Sequence, residues 1–178
     1  GLIHSESLLV DAPQSFGGYR PGNFDAAFNG PVSAPDALRL SLNVPAVGLL
    51  DRGGPARFSA RLANNGHVLR YPRGAQPNLS LILGGTGARL EDLVGAYAGL
   101  NRGGLSGRVR YTAEDPASDR RLLSPGAAWI IREVLEAHPR PGYGSGVLDT
   151  ANRPRVAWKT GTSYGFRDAW GLGSNRRH

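Results

Sequence analysis

Two segments of the chain, 90–100 and 124–138, carry apolar residues at the spacing of an amphipathic helix. The first has acidic residues in its opening turn and is followed by a glycine pair, and the second opens with serine and proline. Three shorter helices, at 33–40, 45–50 and 55–66, are predicted from a capping serine and from prolines in the first turn. Much of the chain is therefore predicted to be helical.

The other apolar runs are too short to show a helical period. Residues 155–160 and 168–172 have the composition of strands and flank a glycine-containing turn, which predicts a β-hairpin. Residues 79–83 form a short apolar run closed by two glycines, and we assign them to a strand. We expect extended or irregular structure in 1–32 and a long loop at 138–146, because both are rich in turn residues.

Composition limits the class of protein. The chain has 178 residues, 40% of them hydrophobic and 20% charged, and we treat residues 1–178 as one globular domain. The absence of cysteine excludes disulfides, thiolate metal sites and a cysteine nucleophile. No apolar run reaches the roughly 20 residues of a membrane helix, so we expect no membrane contact by this segment. The sequence also lacks methionine, and we expect it to be a piece of a longer protein.

A net charge of +7 makes nucleic acid the first partner to consider. All but one of the 21 basic residues are arginine, and they are scattered along the chain rather than interleaved with aromatic residues in a stripe. This bias, together with heavy use of glycine and proline, indicates genome composition rather than a phosphate-binding surface. We therefore expect no nucleic-acid partner.

The only lysine, Lys159, begins the sequence Lys159-Thr160-Gly161-Thr162 at the end of a predicted strand. A single lysine among arginines suggests that a compact ammonium is needed there, although chance is the alternative. Gly161 lets an extended peptide approach the strand, while Thr160 and Thr162 offer hydroxyl donors to an anionic end group. An ordinary edge strand is the structural alternative to this carboxylate-binding site.

A second candidate is Ser41-Leu42-Asn43, at the predicted joint between two helices. If the joint is extended, Ser41 and Asn43 point the same way. A hydroxyl and a carboxamide at this spacing can bind a substrate carbonyl and pass a proton along. Capping of a helix end is the simpler interpretation of either residue on its own.

Ser-x-Asn and Lys-Thr-Gly are two of the three motifs of the penicillin-recognising serine acyl-transferases. With their flanks at 16–25, 30–33, 41–46, 79–85 and 158–170, they resemble the transpeptidase domain of class A penicillin-binding proteins over nearly the whole chain. The resemblance implies an α+β fold in which an antiparallel β-sheet is packed between helices, incomplete at the N-terminus and near the C-terminal end. It also implies the acyl transfer that cross-links peptidoglycan stem peptides ending in D-Ala-D-Ala, without a cofactor.

The resemblance implies three catalytic residues. Ser41 would relay a proton towards the leaving amine, and Asn43 would bond the peptide carbonyl of the substrate. Lys159 would polarise Ser41 and attract the substrate carboxylate.

The same resemblance implies a substrate-binding segment directly after Lys159. Thr160 and Thr162 would contact the substrate carboxylate, and the backbone N–H of Thr162 would supply half of the oxyanion hole. Gly161 would leave room for the ligand, and Ser163 ends the segment.

The third family motif, Ser-x-x-Lys, is absent, because Lys159 is the only lysine and Val156 stands three positions before it. We expect the nucleophilic serine, its lysine and the other oxyanion-hole N–H to lie upstream of Gly1. The chain alone is therefore expected to be inactive and less stable than the domain from which it comes.

The resemblance implies the peptidoglycan stem peptide and β-lactam antibiotics as partners. It places the protein on the periplasmic side of the bacterial inner membrane, tethered through a membrane helix of the longer protein. Two alternatives stay open. One is a non-catalytic muropeptide-binding or sensor module on the same fold, and the other is a β-lactamase or D,D-carboxypeptidase, which shares Lys-Thr-Gly.

Other residues carry weaker signals. The four histidines lie too far apart in the sequence to form a ligand cluster, and we expect no metal site. Trp129 and Trp158 are expected in the core. Tyr164, Phe166 and Trp170, beside the lysine strand, are candidates for the walls of a substrate cleft.

Overall fold

The computed structural model describes residues 2–138 and 155–175. The predicted loop at 138–146 falls almost entirely outside this range. The described residues form five α-helices: α1 (Ala34–Arg39), α2 (Asn43–Gly53), α3 (Pro55–Asn64), α4 (Leu90–Asn101) and α5 (Pro125–Glu136). They also form six strands: β1 (Leu8–Asp11), β2 (Gly30–Ser33), β3 (Leu105–Ser106), β4 (Arg120–Arg121), β5 (Ala157–Thr162) and β6 (Ala169–Ser174).

The capping signals in the sequence set the helix starts as predicted. Ser33 accepts a hydrogen bond from the backbone N–H of Asp36 at 3.1 Å, at the start of α1. Ser124 does the same for Ala127 at 3.2 Å, at the start of α5. The five predicted helices are confirmed, although α2 begins at Asn43 rather than at Pro45.

The prediction of a strand at 79–83 is wrong. Leu79–Leu83 is a 3₁₀ helix, whose first turn is capped by the side chain of Asn78 accepting from the N–H of Ser80 at 3.0 Å. Gly84 then ends the helix in the left-handed conformation, with a φ of 86°. These local partners satisfy the backbone without a neighbouring strand, and five apolar residues are too few to reveal this by their period.

The expected burial of Trp129 is also wrong, because 58% of its surface is exposed. The buried positions of α5 are Ala128 and Leu135. The small side chain of Ala128 faces the interior and lets α5 pack closely there. Because successive residues of an α-helix are rotated by about 100°, Trp129 then points towards solvent. Trp158 is partly buried, and its indole N–H donates to the carbonyl of His138 at 3.1 Å.

Each strand pairs antiparallel with one other strand among the described residues: β1 with β2, β3 with β4, and β5 with β6. The predicted C-terminal hairpin is confirmed as β5 and β6, in which Lys159 lies opposite Leu172 and Gly161 opposite Trp170. The combination of helices with antiparallel strands agrees with the expected α+β class. No helix in the described part of the chain is long and apolar enough to cross a membrane.

Two apolar clusters hold these elements together. The first joins the β1–β2 pair to α1 and the turn after it, through Leu9, Val32, Ala37 and Leu42. The second joins α1, α4, α5 and β5, through Leu100, Leu135 and Ala157 with Leu38, Tyr97, Leu123 and Ile131 packed around them. Leu38 precedes Ser41 by three residues and Ala157 precedes Lys159 by two, so the second cluster lies beneath both candidate motifs.

Candidate active site

Ser41 occupies a strained position at the end of α1. Its φ is 57°, in the left-handed region that favours glycine. The N–H of Ser41 bonds the carbonyl of Leu38 at 3.3 Å and that of Leu42 bonds Ala37 at 3.0 Å, which is the Schellman pattern of helix ends. Leu42 is extended, but Ser41 is in a left-handed turn, so the extended joint that would point Ser41 and Asn43 the same way is not formed. The left-handed turn leaves Ser41 exposed while Leu42 enters the core.

Asn43 is fastened to a loop at 22–29 that precedes it by about 20 residues. Its side-chain N–H donates to the carbonyl of Gly22 at 2.7 Å, and its backbone N–H donates to Oδ1 of Asn23 at 2.9 Å. Asn23 therefore caps α2 from outside the helix. The second side-chain N–H of Asn43 has no protein acceptor among the described residues, so one donor is available to a ligand.

A fully buried carboxylate holds this loop in place. Asp11, on β1, accepts from the side chain of Asn23 at 2.8 Å and from the backbone and side-chain N–H groups of Asn29 at 2.9 and 2.8 Å. Burial alone would raise the pKa of Asp11, but these hydrogen bonds outweigh burial and lower it below 3.8. Sequence reasoning missed Asp11 and Asn29. The alternation in β1, which places Asp11 on the same face as the buried Leu9, is the available signal.

Lys159 extends from β5 to the turn that carries Ser41, although the two residues are 118 positions apart. Its Nζ donates to Oγ of Ser41 and, at 2.9 Å, to the carbonyl of Thr160. Burial lowers the pKa of Lys159 below 10.5, because a desolvated ammonium is less stable than a hydrated one. A lysine and a serine from the two sequence motifs are thus in direct contact.

The segment after Lys159 is open to solvent. Thr160, Gly161 and Thr162 are exposed, and a Cβ added at Gly161 would meet nothing within 4 Å. Neither a positive φ nor packing therefore requires glycine at this position, and the open space above it is compatible with the close approach of another chain.

The hydroxyl of Ser163, unlike the three exposed residues before it, is engaged in hydrogen bonds within the protein. Its Oγ lies 2.9 Å from the backbone N–H of Asp168, from which it accepts, and 3.2 Å from the carboxylate of Asp168, to which it donates. These bonds close the turn between β5 and β6. The structure therefore places Ser163 beside the exposed segment but engages its hydroxyl in the turn.

His138 and Trp158 lie beside Lys159 at the start of β5. The rings of His138 and Trp158 are in contact, with centroids 4.5 Å apart and planes tilted by 41°. Burial, followed by the nearby charges of Lys159 and Arg39, lowers the pKa of His138 below 6.5. Of these two cations, Arg39 is ion-paired with Asp36, whereas Lys159 bonds only the neutral groups of Ser41 and Thr160 among the described residues. In the described ranges, no group of three or more His, Cys, Asp or Glu residues could hold a metal ion.

Comparison with known proteins identifies the family. The chain is 54% identical to penicillin-binding protein 1C of Escherichia coli over 100% of its own length and 23% of that protein. It is 30% identical to penicillin-binding protein 1F of Bacillus subtilis, over 94% of this chain and 25% of the relative. The chain belongs to the penicillin-binding protein family. It spans about a quarter of the length of these relatives. No protein-family model matches the chain.

Solved structures of penicillin-binding proteins share the fold. Penicillin-binding protein PonA1 of Mycobacterium tuberculosis superimposes with a TM-score of 0.73 at 22% identity, over 98% of this chain and 52% of that one. Penicillin-binding protein A of the same organism, in an imipenem acyl-enzyme complex, gives 0.70 at 18% identity, over 98% and 47%. These likenesses confirm the transpeptidase fold expected for an α+β penicillin-binding protein.

Membership in the penicillin-binding protein family bears on the alternatives that the sequence left open. The relatives are named as penicillin-binding proteins, which form a family of acyl-transferases, and they do not favour a sensor module or a β-lactamase. The family's Ser-x-Asn and Lys-Thr-Gly motifs fall here on Ser41 to Asn43 and on Lys159 to Gly161.

Proposed function

We propose that this chain is part of a peptidoglycan D,D-transpeptidase domain and provides one side of its active site. The observation that carries the proposal is the hydrogen bond between Lys159 and Ser41, which joins the two family motifs across 118 residues. The nucleophilic serine comes from another part of the longer protein, since this sequence contains no Ser-x-x-Lys.

The proposed reaction has two steps. In the first, the serine oxygen forms an ester with the carbonyl of the penultimate D-Ala, and the C–N bond to the terminal D-Ala breaks. The serine proton reaches the departing amine through Ser41, whose Oγ accepts from the ammonium of Lys159. In the second, the amine of another stem peptide attacks the ester carbonyl, a new C–N bond forms, the C–O bond to the serine breaks, and the proton lost by the amine returns to the serine oxygen. A β-lactam reacts only in the first way, because its ring C–N bond opens and the leaving nitrogen stays attached.

The other motif residues bind and orient the donor peptide in this proposal. The free N–H of Asn43 donates to a peptide carbonyl of the substrate, and the charge of Lys159 attracts its terminal carboxylate. Thr160 and Thr162 donate hydroxyl hydrogens to that carboxylate. Gly161 lets the peptide lie along β5, and the N–H of Thr162 stabilises the oxyanion. Ser163 supports this segment by closing the following turn and contacts the ligand only if it releases Asp168.

The proposal also covers the cellular location and the ligands of the domain. Residues 1–178 form part of one transpeptidase domain on the periplasmic side of the bacterial inner membrane, with stem peptides and β-lactams as ligands. Solved relatives with penicillin V and imipenem bound support the antibiotic part of this assignment.

The test measures the rate at which the full-length protein that contains this chain gains the mass of one benzylpenicillin. We expect Ser41→Ala and Lys159→Ala to slow acylation by about 10² to 10⁴, the usual contribution of a positioned proton-transfer group. Ser15→Ala removes an exposed hydroxyl outside both motifs and serves as the matched control. Acylation of Lys159→Ala at the wild-type rate would overturn the proposal.

A further inference from the structure

The loop at 22–29 contacts the candidate site without being part of the apolar core. The carbonyl of Gly22 accepts from the side chain of Asn43 at 2.7 Å, and Oδ1 of Asn23 accepts from the backbone N–H of Asn43 at 2.9 Å. Every residue of this loop except Asn23 is exposed. Burial of apolar side chains therefore does not hold the loop against Asn43, and its polar contacts must do so.

The polar contacts of the loop converge on Asp11, which is fully buried on β1. Oδ1 of Asp11 accepts from the side chain of Asn23 at 2.8 Å, and Oδ2 accepts from the backbone and side-chain N–H groups of Asn29 at 2.9 and 2.8 Å. Hydrogen bonds to a charged acceptor are stronger than those between neutral groups. One carboxylate thus fixes both ends of the loop.

Asn23 connects Asp11 to Asn43, because the side-chain amide of Asn23 fits the network in one orientation only. Its two side-chain N–H groups donate to Asp11 and, at 2.8 Å, to the carbonyl of Ala27. Its oxygen therefore faces the backbone N–H of Asn43. A flipped amide would place N–H groups against the N–H of Asn43 and its oxygen against an acceptor, so the network excludes it.

The same loop orients the side chain of Asn43. The carbonyl of Gly22 accepts one of the two side-chain N–H hydrogens of Asn43. Because both hydrogens lie in the plane of the amide, this bond also fixes the direction of the second, which has no protein acceptor among the described residues. In the proposed reaction, the second hydrogen binds a carbonyl of the acyl donor. The position of the loop thus sets the direction of a contact with the substrate.

We propose that Asp11 is a positioning residue for the acyl donor and that, through Asn23 and the loop, it orients the free N–H of Asn43. The proposal rests on the proposed transpeptidase function and adds to it a residue that touches neither the ligand nor the reacting atoms. A carboxylate is required at this position, because all three groups that face it are N–H donors. Asp11→Asn keeps the volume but turns one N–H towards a donor, which releases the loop.

Two penicillins that differ by one carbonyl group provide the test. 6-Formamidopenicillanic acid carries a formyl group on the amine of the bicyclic nucleus, and 6-aminopenicillanic acid has the same nucleus with a free amine. We would measure the second-order rate constant of acylation of the full-length protein by each compound. The ratio of the first constant to the second reports recognition of the carbonyl, because effects on the nucleus and on the amount of folded protein cancel.

We expect Asp11→Asn to lower this ratio about two- to ten-fold, the usual range for loss of one hydrogen bond. Asn43→Ala should lower the ratio at least as much. Adding Asp11→Asn to Asn43→Ala should cause no further loss, because Asp11 acts on the carbonyl only through Asn43. A general weakening of the fold would not depend on Asn43 in this way.

Asn23→Ala and Asn65→Ala form a matched pair of variants. Asn23 is 9% exposed and Asn65 6% exposed, and each donates a side-chain N–H to a backbone carbonyl four residues away. Asn65 follows α3 and bonds the carbonyl of Arg61, outside the network of Asp11. We expect Asn23→Ala to lower the ratio and Asn65→Ala to leave it unchanged.

The possible outcomes separate the two proposals. If neither penicillin acylates the wild-type full-length protein, the transpeptidase function fails. If both acylate it and Asp11→Asn leaves the ratio unchanged, or lowers it equally with and without Asn43, only the role of Asp11 fails. If Asp11→Asn does not fold, Asn29→Ala decides, because it removes one bond to Asp11 from an exposed residue. Asn29→Ala should lower the ratio about two-fold, and an unchanged ratio overturns the role of Asp11.

Discussion

At the scale of single residues, the candidate site depends on two side chains in unfavourable states. Ser41 adopts a left-handed conformation that costs a non-glycine residue about 1 kcal/mol or more, and Lys159 carries a partly buried ammonium. The sequence could single out Lys159, because it is the only lysine among arginines. Composition and spacing could not reveal the partner of Lys159, because Ser41 lies 118 residues away in the sequence.

The altered state of Lys159 can be measured directly, because a chain with one lysine labelled with ¹³C at Cε gives one side-chain resonance. We expect the titration midpoint to lie below 10.5, since burial disfavours the charged form. Between this midpoint and 10.5 the folded chain binds fewer protons than the unfolded chain, so stability rises with pH through that window. The same chain unfolded in urea is the control. A folded midpoint equal to or above the unfolded one would contradict the burial of the amine.

At the scale of elements, the hydrophobic pattern of α4 predicts the helix but not which face of it is buried. The spacing of Leu90, Val94 and similar residues predicts the helix correctly, yet Leu90 is 59% exposed and Val94 45% exposed. The buried face instead contains Gly95 and Gly99, four residues apart. These glycines let the helix backbone approach β3 closely, and a pattern of large apolar residues cannot show a contact made by the absence of side chains.

Gly95→Ala tests this close approach. The added Cβ would overlap the carbonyl oxygen of Gly107 and lie 3.0 Å from Cε1 of His67. We expect the unfolding free energy, measured in urea, to fall by about 1–3 kcal/mol, as in other overpacked interiors. Gly126→Ala in α5 is the matched control, because its Cβ would meet nothing within 4 Å. A chain that tolerates both changes equally would show that α4 does not need glycine against β3.

At the scale of the whole molecule, the elements predicted from sequence are those with local signals. The caps at Ser33 and Ser124 and the Lys-Thr-Gly hairpin lie within a few residues of the structure that they specify. The contacts that assemble the site join distant segments, such as Asp11 with Asn29 or Gly22 with Asn43, and no local pattern contains both partners. The family resemblance supplied the pairing of Ser41 with Lys159, which composition and spacing alone left open.

Buried His67, which follows α3, bonds Ser106 on β3, and Ser106 bonds Gly95 on α4, and we expect this histidine to make the stability depend on pH. Nε2 of His67 lies 2.5 Å from Oγ of Ser106 on β3, and Ser106 donates to the carbonyl of Gly95 at 3.0 Å, so the His67 nitrogen carries the hydrogen. Its Nδ1 is buried without a hydrogen bond, 3.9 Å from Asp92. Burial lowers the pKa of His67 below 6.5, and Asp92 only partly offsets this effect.

We expect the unfolding free energy to rise with pH from the folded pKa of His67 up to 6.5, because the unfolded chain binds more protons in that window. His67→Gln should flatten the rise, and His138 should maintain part of it. Urea unfolding of both chains between about pH 5 and about pH 8 measures the effect. The stability difference between wild type and variant should be constant above 6.5 and smaller below it. A difference independent of pH throughout would show that His67 does not titrate on unfolding.

The side chains of the apolar cluster beneath the site help to set the distance between Ser41 and Lys159. Leu38 leads into the turn that ends at Ser41, Ala157 leads into Lys159, and Leu135 of α5 packs in the same cluster. The separation of the two polar groups is thus set by the width of side chains that touch no ligand. In the proposed reaction, shifts of about 1 Å between these groups lower the rate, so the size of Leu135 is constrained together with the chemistry of Lys159.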